Sequence, residues 1–201
     1  MKKIAFIDLD DTIIKGVNST YDFIEWYLKS RYGISGCIRV KLTLIIIRIL
    51  SQLIKKPSLF FRKVYLVFTL FGEPYFIILY YATLWIKLLI ELRNINVNVL
   101  NVIRRLKSEG YNLVLLTASI DPVASVVRKV LVFDDFLSTK LKVCKEIVVG
   151  IEMDLYGHLK FMAALREFRK KDIFNAMYVA DKWSIENDIA HLFVKETVVV
   201  E

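Results

Sequence analysis

Three carboxylates fall within four positions, Asp8, Asp10 and Asp11, directly after the apolar run at 4–7, and Thr12 closes the group. A buried strand that ends in acids sets charge where a ligand can meet it. All three are ionised at neutral pH in isolation, since an unperturbed Asp titrates near ~3.9, and crowding them is unfavourable unless a cation is present. The run asks for a metal, although an ordinary acidic loop after a strand would look the same if nothing else were known. Downstream, further polar residues stand at the ends of apolar runs: Thr117-Ala118 after 113–116, and Asp181 after 178–180. Lys160 follows Gly157 at the start of an amphipathic stretch, and Glu186 and Asp188 lie beyond Asp181.

The elements that must position these groups can be read from periodicity. Residues 4–7 form a continuous apolar run, as expected of a parallel strand covered on both faces. Residues 98–109 carry a helical apolar face, with Gly110 where a C-terminal cap belongs. Residues 113–116 are the second buried strand, Asp121-Pro122 opens another helix, 161–171 is a further amphipathic helix, 176–180 a third short strand and 197–200 a last one. Strands alternating with helices predict an α/β domain with a parallel sheet. Acids and hydroxyls at the carboxyl ends of its strands are where such sheets bind ligands.

Residues 15–94 differ, being aromatic and aliphatic with few turn signals, and are predicted to be helical with breaks near 33–36, 55–57 and 72–74. This segment holds 12 Lys and Arg against 4 Asp and Glu, and the rest of the chain 17 against 17, so the whole net charge of +8 belongs to it. Such a surface suits phosphates, nucleic acid or an anionic membrane, or is simply a set of solvated helix faces. The apolar stretches 42–54, interrupted by Arg48, and 74–86 are too short to cross a hydrocarbon core of about 30 Å. Two readings of them remain: core faces of a helical bundle, or helices lying in a membrane interface.

Taken together and in order, these residues resemble the haloacid dehalogenase (HAD) superfamily. Asp8-Leu9-Asp10-Asp11-Thr12 resembles its first motif, Thr117 its second, Lys160 its third, and Asp181 with Glu186-Asn187-Asp188-Ile189 its acidic fourth. Residues 132–139 are similar to a segment of the phosphoserine-phosphatase-like members. The resemblance implies an α/β, Rossmann-like three-layer core with a parallel sheet at 1–14 and 95–201, and an inserted helical C1-type cap at 15–94. It also implies Mg²⁺-dependent cleavage of a phosphomonoester through an aspartyl phosphate. Asp8 would be the nucleophile and Asp10 the acid and base; Thr117 and Lys160 complete the catalytic set. Mg²⁺ would sit on Asp8, Asp10, Asp181 and Asp188, with Glu186 the rival of Asp188 because the spacing after Asp181 is longer than usual. Asp11, Thr12, Thr117, Ala118 and Lys160 would surround the phosphate.

Other classes compete with this one. A phosphatase of phospholipid-type head groups at a membrane surface fits the basic, apolar insertion, and a catalytically silent binding module fits the altered fourth motif. Dehalogenation does not call for Asp10, and a P-loop enzyme lacks its glycine-rich run. Cys37 and Cys144, far apart and without a nearby His cluster, read as interior thiols. The expected partner is a small phosphorylated substrate, with anionic membrane contact through the cap as the alternative and no nucleic acid. The expected location is the cytoplasm, in the alternative peripheral to the membrane.

Overall fold

The computed structural model describes residues 3–54, 57–181, 190 and 194–200. Among these residues six strands form one sheet in the order β4-β3-β2-β1-β5-β6. Their ranges are β1 Ile4–Ile7, β2 Asn112–Ile120, β3 Asp135–Cys144, β4 Ile147–Met153, β5 Met177–Asp181 and β6 Glu196–Val200. Five of the strands run parallel; the edge strand β4 is antiparallel to β3. The parallel sheet expected from the apolar runs is present, but the hairpin β3–β4 was not foreseen. Its residues mix exposed and buried positions, carry three Lys, and show no apolar run as long as that of β1.

The period of two along β1 divides the core. Ala5, Ile7 and Leu9 pack on one face with α5 (Val97–Ser108) and α6 (Asp121–Leu131), whereas Ile4 and Phe6 pack on the other with α7 (Leu159–Glu167) and α8 (Lys170–Ile173). This gives the three layers. The single helix expected at 161–171 is broken at Phe168, whose ring turns in edge-on against Phe6 at 5.6 Å. Strand β2 runs past its expected end, but its ladder to β3 shifts register between Leu116 and Ile120.

Between β1 and α5 lie four helices, α1 (Tyr21–Tyr32), α2 (Ile34–Leu53), α3 (Ser58–Leu70) and α4 (Tyr75–Glu91), separated at the three foreseen breaks. Where α1 meets α2, Gly36 lies against the Leu28 carbonyl; a Cβ there would stand 2.0 Å from that oxygen. Buried residues of these helices, among them Phe23, Tyr27, Leu66 and Trp85, join the same apolar cluster as Ile7 and Leu115 of the sheet. Glu73 is 3% exposed and accepts hydrogen bonds from Tyr27, Tyr32, Arg31 and Arg39, which satisfies its buried charge. Neither cysteine is an interior thiol as expected: Cys144 is exposed at the hairpin turn and Cys37 half-buried. Among the described residues no helix is long and apolar enough to cross a membrane.

Candidate active site

Asp8 follows β1 on the even, α7-facing side, so its carboxylate emerges at the carboxyl end of the sheet beside the first turn of α7. Lys160, the second residue of that helix, donates to both its oxygens, at 2.9 and 3.0 Å. Both partners are buried, Asp8 at 5% and Lys160 at 3% exposure. Strand β5 adds a third group. Phe6 pairs with Tyr178 in the ladder, and the Tyr178 hydroxyl reaches up to Asp8 Oδ2 at 3.3 Å. The Leu9 N–H also donates to Asp8 Oδ1, at 2.8 Å. Sequence reasoning assigned Tyr178 to a strand only; its signal was a hydroxyl within an otherwise apolar run that pairs next to the acid.

Asp10 lies two residues on, and Asp10 Oδ1 accepts the Ser19 N–H at 2.9 Å. That contact is set by the turn opening α1, where Asn18 accepts the Thr20 and Tyr21 N–H groups. Burial pushes the Asp10 carboxyl up to about 6; Ser19 opposes the rise, the charge of Asp8 adds to it, and Lys160 opposes it. An acid in this range can give and take a proton near neutrality.

The other expected residues find distinct places. Thr12 is fully buried, and its Oγ1 accepts the Asp181 N–H at 2.8 Å, which fastens the loop after β1 to the end of β5. Asp181 is 9% exposed at that end, with Asp8 beside it on the neighbouring strand, where the Asp8 N–H donates to Val179. Asp11 is exposed at φ +55° and accepts the Gly16 N–H at 3.0 Å, closing the loop. Thr117 is 1% exposed within the irregular part of β2, and its Oγ1 accepts the Ser119 N–H. The Ala118 carbonyl accepts from Thr139 and from Arg62 of α3. Asp188 and Glu186 lie outside the described residues.

Arg62 was not foreseen in any role. It is 4% exposed, and from α3 it pairs with Asp154, the residue after β4, while bonding the carbonyl beside Thr117. Asp154 in turn accepts from Thr139. Nothing in the sequence separates this arginine from its exposed neighbour Lys63.

Asp8 and Asp181 offer buried carboxylate oxygens at adjoining strand ends, and Asp10 beside them is raised by its own burial, with the charge of Asp8 adding to the rise. Hard oxygen donors of this kind suit Mg²⁺. Among the described residues no three His, Cys, Asp or Glu side chains gather into a ready metal site. Asp8 and Asp181 are two such side chains, and Asp10, whose carboxylate faces Ser19, has a backbone carbonyl to add.

A family model described as haloacid dehalogenase-like hydrolase matches residues 5–184. No curated protein matches the sequence at a significant level. Among solved structures, a protein of unknown function from Bordetella pertussis Tohama I matches with TM-score 0.68 and 14% identity, over 90% of this chain and 82% of that one. A probable phosphoserine phosphatase from Vibrio cholerae matches with TM-score 0.64 and 12% identity, over 98% of this chain and 56% of that one. A phosphoserine phosphatase described as a phospho-aspartyl intermediate analogue matches with TM-score 0.56 and 15% identity, over 100% of this chain and 94% of that one. At these identities the likeness is one of fold.

Proposed function

The chain belongs to the haloacid dehalogenase-like hydrolases, and on that premise we propose that it is a Mg²⁺-dependent phosphohydrolase cleaving a small phosphomonoester through an aspartyl phosphate. The observation that carries this is the buried pair of Asp8 and Lys160 with an acid of pKa about 6 two residues away. An Asp8 oxygen attacks phosphorus, and the bond to the leaving oxygen breaks as that oxygen takes the Asp10 proton. The Asp10 carboxylate then removes a proton from water, whose oxygen attacks the acyl phosphate, so Asp8 and inorganic phosphate are released.

Lys160 holds a fixed positive charge against the nucleophile and the incoming phosphate, and its burial keeps that charge unscreened. Mg²⁺ would be held by the carboxylates of Asp8 and Asp181 and the Asp10 carbonyl, with Asp188 or Glu186 completing the set, and would offset the repulsion between an anionic nucleophile and an anionic substrate. Thr117 and Ala118 line the phosphate position, with Asp11 and Thr12 holding the loop around it. Helices α1–α4 act as the cap that excludes water and selects the leaving group.

Hydrolysis of an aryl phosphate tests this directly. Turnover is expected with Mg²⁺, and is expected to vanish in chelator and in Asp8→Asn; chelator-resistant turnover or an active Asp8→Asn contradicts the mechanism. A second reading, in which the phosphate belongs to a phospholipid-type head group, is supported by one feature of the cap. Between residues 33 and 90 there are eight Lys and Arg, and the one carboxylate, Glu73, is buried.

A further inference from the structure

Helix α2 buries only Gly36, Val40 and Thr43. Its opposite side carries Ile38, Leu42, Ile45, Ile49 and Leu53, between 50% and 77% exposed. Their spacings of four, three, four and four residues align them in one stripe along a helix of 20 residues, which is about 30 Å long. Lys41 and Arg48 are exposed on its flank. Beside the start of α2, Phe68 and Phe71 are 51% and 57% exposed, and Arg39 holds their carbonyls at 3.1 and 2.9 Å. An apolar surface of this extent on a folded chain marks a contact site.

The charge on this surface decides what covers it. Helices α2 and α3 contain no acidic residue, and Glu73 after them is buried and bound by two arginines, so the exposed charges on these two helices, Lys41, Arg48 and Lys63 among them, are all positive. A second copy packed face to face on α2 would set these cations against one another. An anionic bilayer offers the complement: apolar depth for the stripe and phosphates for the flanking cations. Arg39, Lys41 and Arg48 also prevent α2 from crossing the bilayer, and direct it to lie in the plane of the interface.

We propose that the outer face of the cap, centred on α2, docks in the interface of an anionic lipid bilayer. This deepens the head-group reading, on which it rests, by naming the surface that would bring the site to such a substrate. Sedimentation with phosphatidylglycerol-containing vesicles, and with neutral phosphatidylcholine vesicles, is the experiment. The intact protein is expected to sediment with the anionic vesicles at low salt and to be released at about 0.5 M salt, where the screening length is only a few ångströms. Ile45→Glu with Ile49→Glu is expected to lower partitioning by at least about tenfold, with Mg²⁺-dependent aryl phosphate hydrolysis unchanged. Failure to sediment, equal binding to neutral vesicles, or a wild-type dimer that the double variant converts to monomer would overturn the proposal. Hydrolysis of a lipid phosphate in detergent micelles separates the two claims. Micellar turnover without vesicle binding sinks the docking surface and leaves the head-group reading; vesicle binding without micellar turnover does the reverse.

Discussion

Asp10 is where the site's chemistry and the fold's stability conflict. Its carboxyl rises from the ordinary 3.8 to about 6 because it is buried, so the folded chain holds this proton more tightly than the unfolded chain does. The stability this gives is fully present below about pH 4 and is lost as pH rises through about 6. Asn keeps the acceptor for the Ser19 N–H but cannot ionise. In metal-free protein, Asp10→Asn is therefore expected to be more stable than wild type at pH 7.5 by about 2–3 kcal/mol, taking ~1.4 kcal/mol per pKa unit. The difference should shrink to nothing near pH 4. Urea titrations at the two pH values check this, and a variant that is equally stable at both would mean that the wild-type acid is not raised. The same substitution removes the proposed proton donor and should abolish turnover, so here stability and activity move in opposite directions.

The elements around the site meet along a seam. The turn between α3 and α4 bonds backbone to backbone with β4, from Gly72 to Val148, from Val148 to Glu73 and from Tyr75 to Glu146. Tyr75 also donates to Asp121 at the head of α6, whose other oxygen takes the Leu141 N–H. At the centre of the seam stands the buried pair of Arg62 and Asp154. Removing one member leaves the other charged without compensation. Arg62→Met is expected to cost about 3–5 kcal/mol, whereas Arg62→Met combined with Asp154→Leu should recover most of the loss. Thermal denaturation of the two variants decides; a single variant as stable as wild type would show that the seam does not depend on the pair. This seam marks the limit of what the sequence discloses. Asp8, Lys160 and Asp181 were legible because each follows or opens an element with clear periodicity, and so were the breaks at Gly33, Pro57 and Gly72-Glu73-Pro74. Arg62, Asp154 and the hairpin β3–β4 were not, since their role comes from long-range pairing between segments whose local patterns are those of an ordinary helix face and a charged edge.

At the scale of the whole molecule, the insertion and the sheet share one interior. The charge pattern divides the chain sharply, +8 in residues 15–94 and zero elsewhere, and suggests two separable bodies. Packing opposes that division: Phe23 and Trp85 of the helices and Ile7 and Leu115 of the sheet belong to one continuous apolar cluster. Chains longer than about 150 residues often unfold through intermediates, and a cap with its own core would melt apart from the sheet beneath it. Here unfolding α1–α4 uncovers the side of α6 on which α4 packs and opens the shared apolar cluster there, and the seam's backbone bonds are lost with it. A single cooperative transition is expected. Far-ultraviolet circular dichroism, which follows helix and sheet together, and tryptophan fluorescence, to which Trp26 and Trp85 of the helices contribute alongside Trp183, should give coincident urea curves for wild type. Gly36→Ala forces a Cβ onto the Leu28 carbonyl between α1 and α2, and should shift both curves together to lower urea. A variant whose fluorescence curve moves ahead of its dichroism curve would show that the cap has a stability of its own.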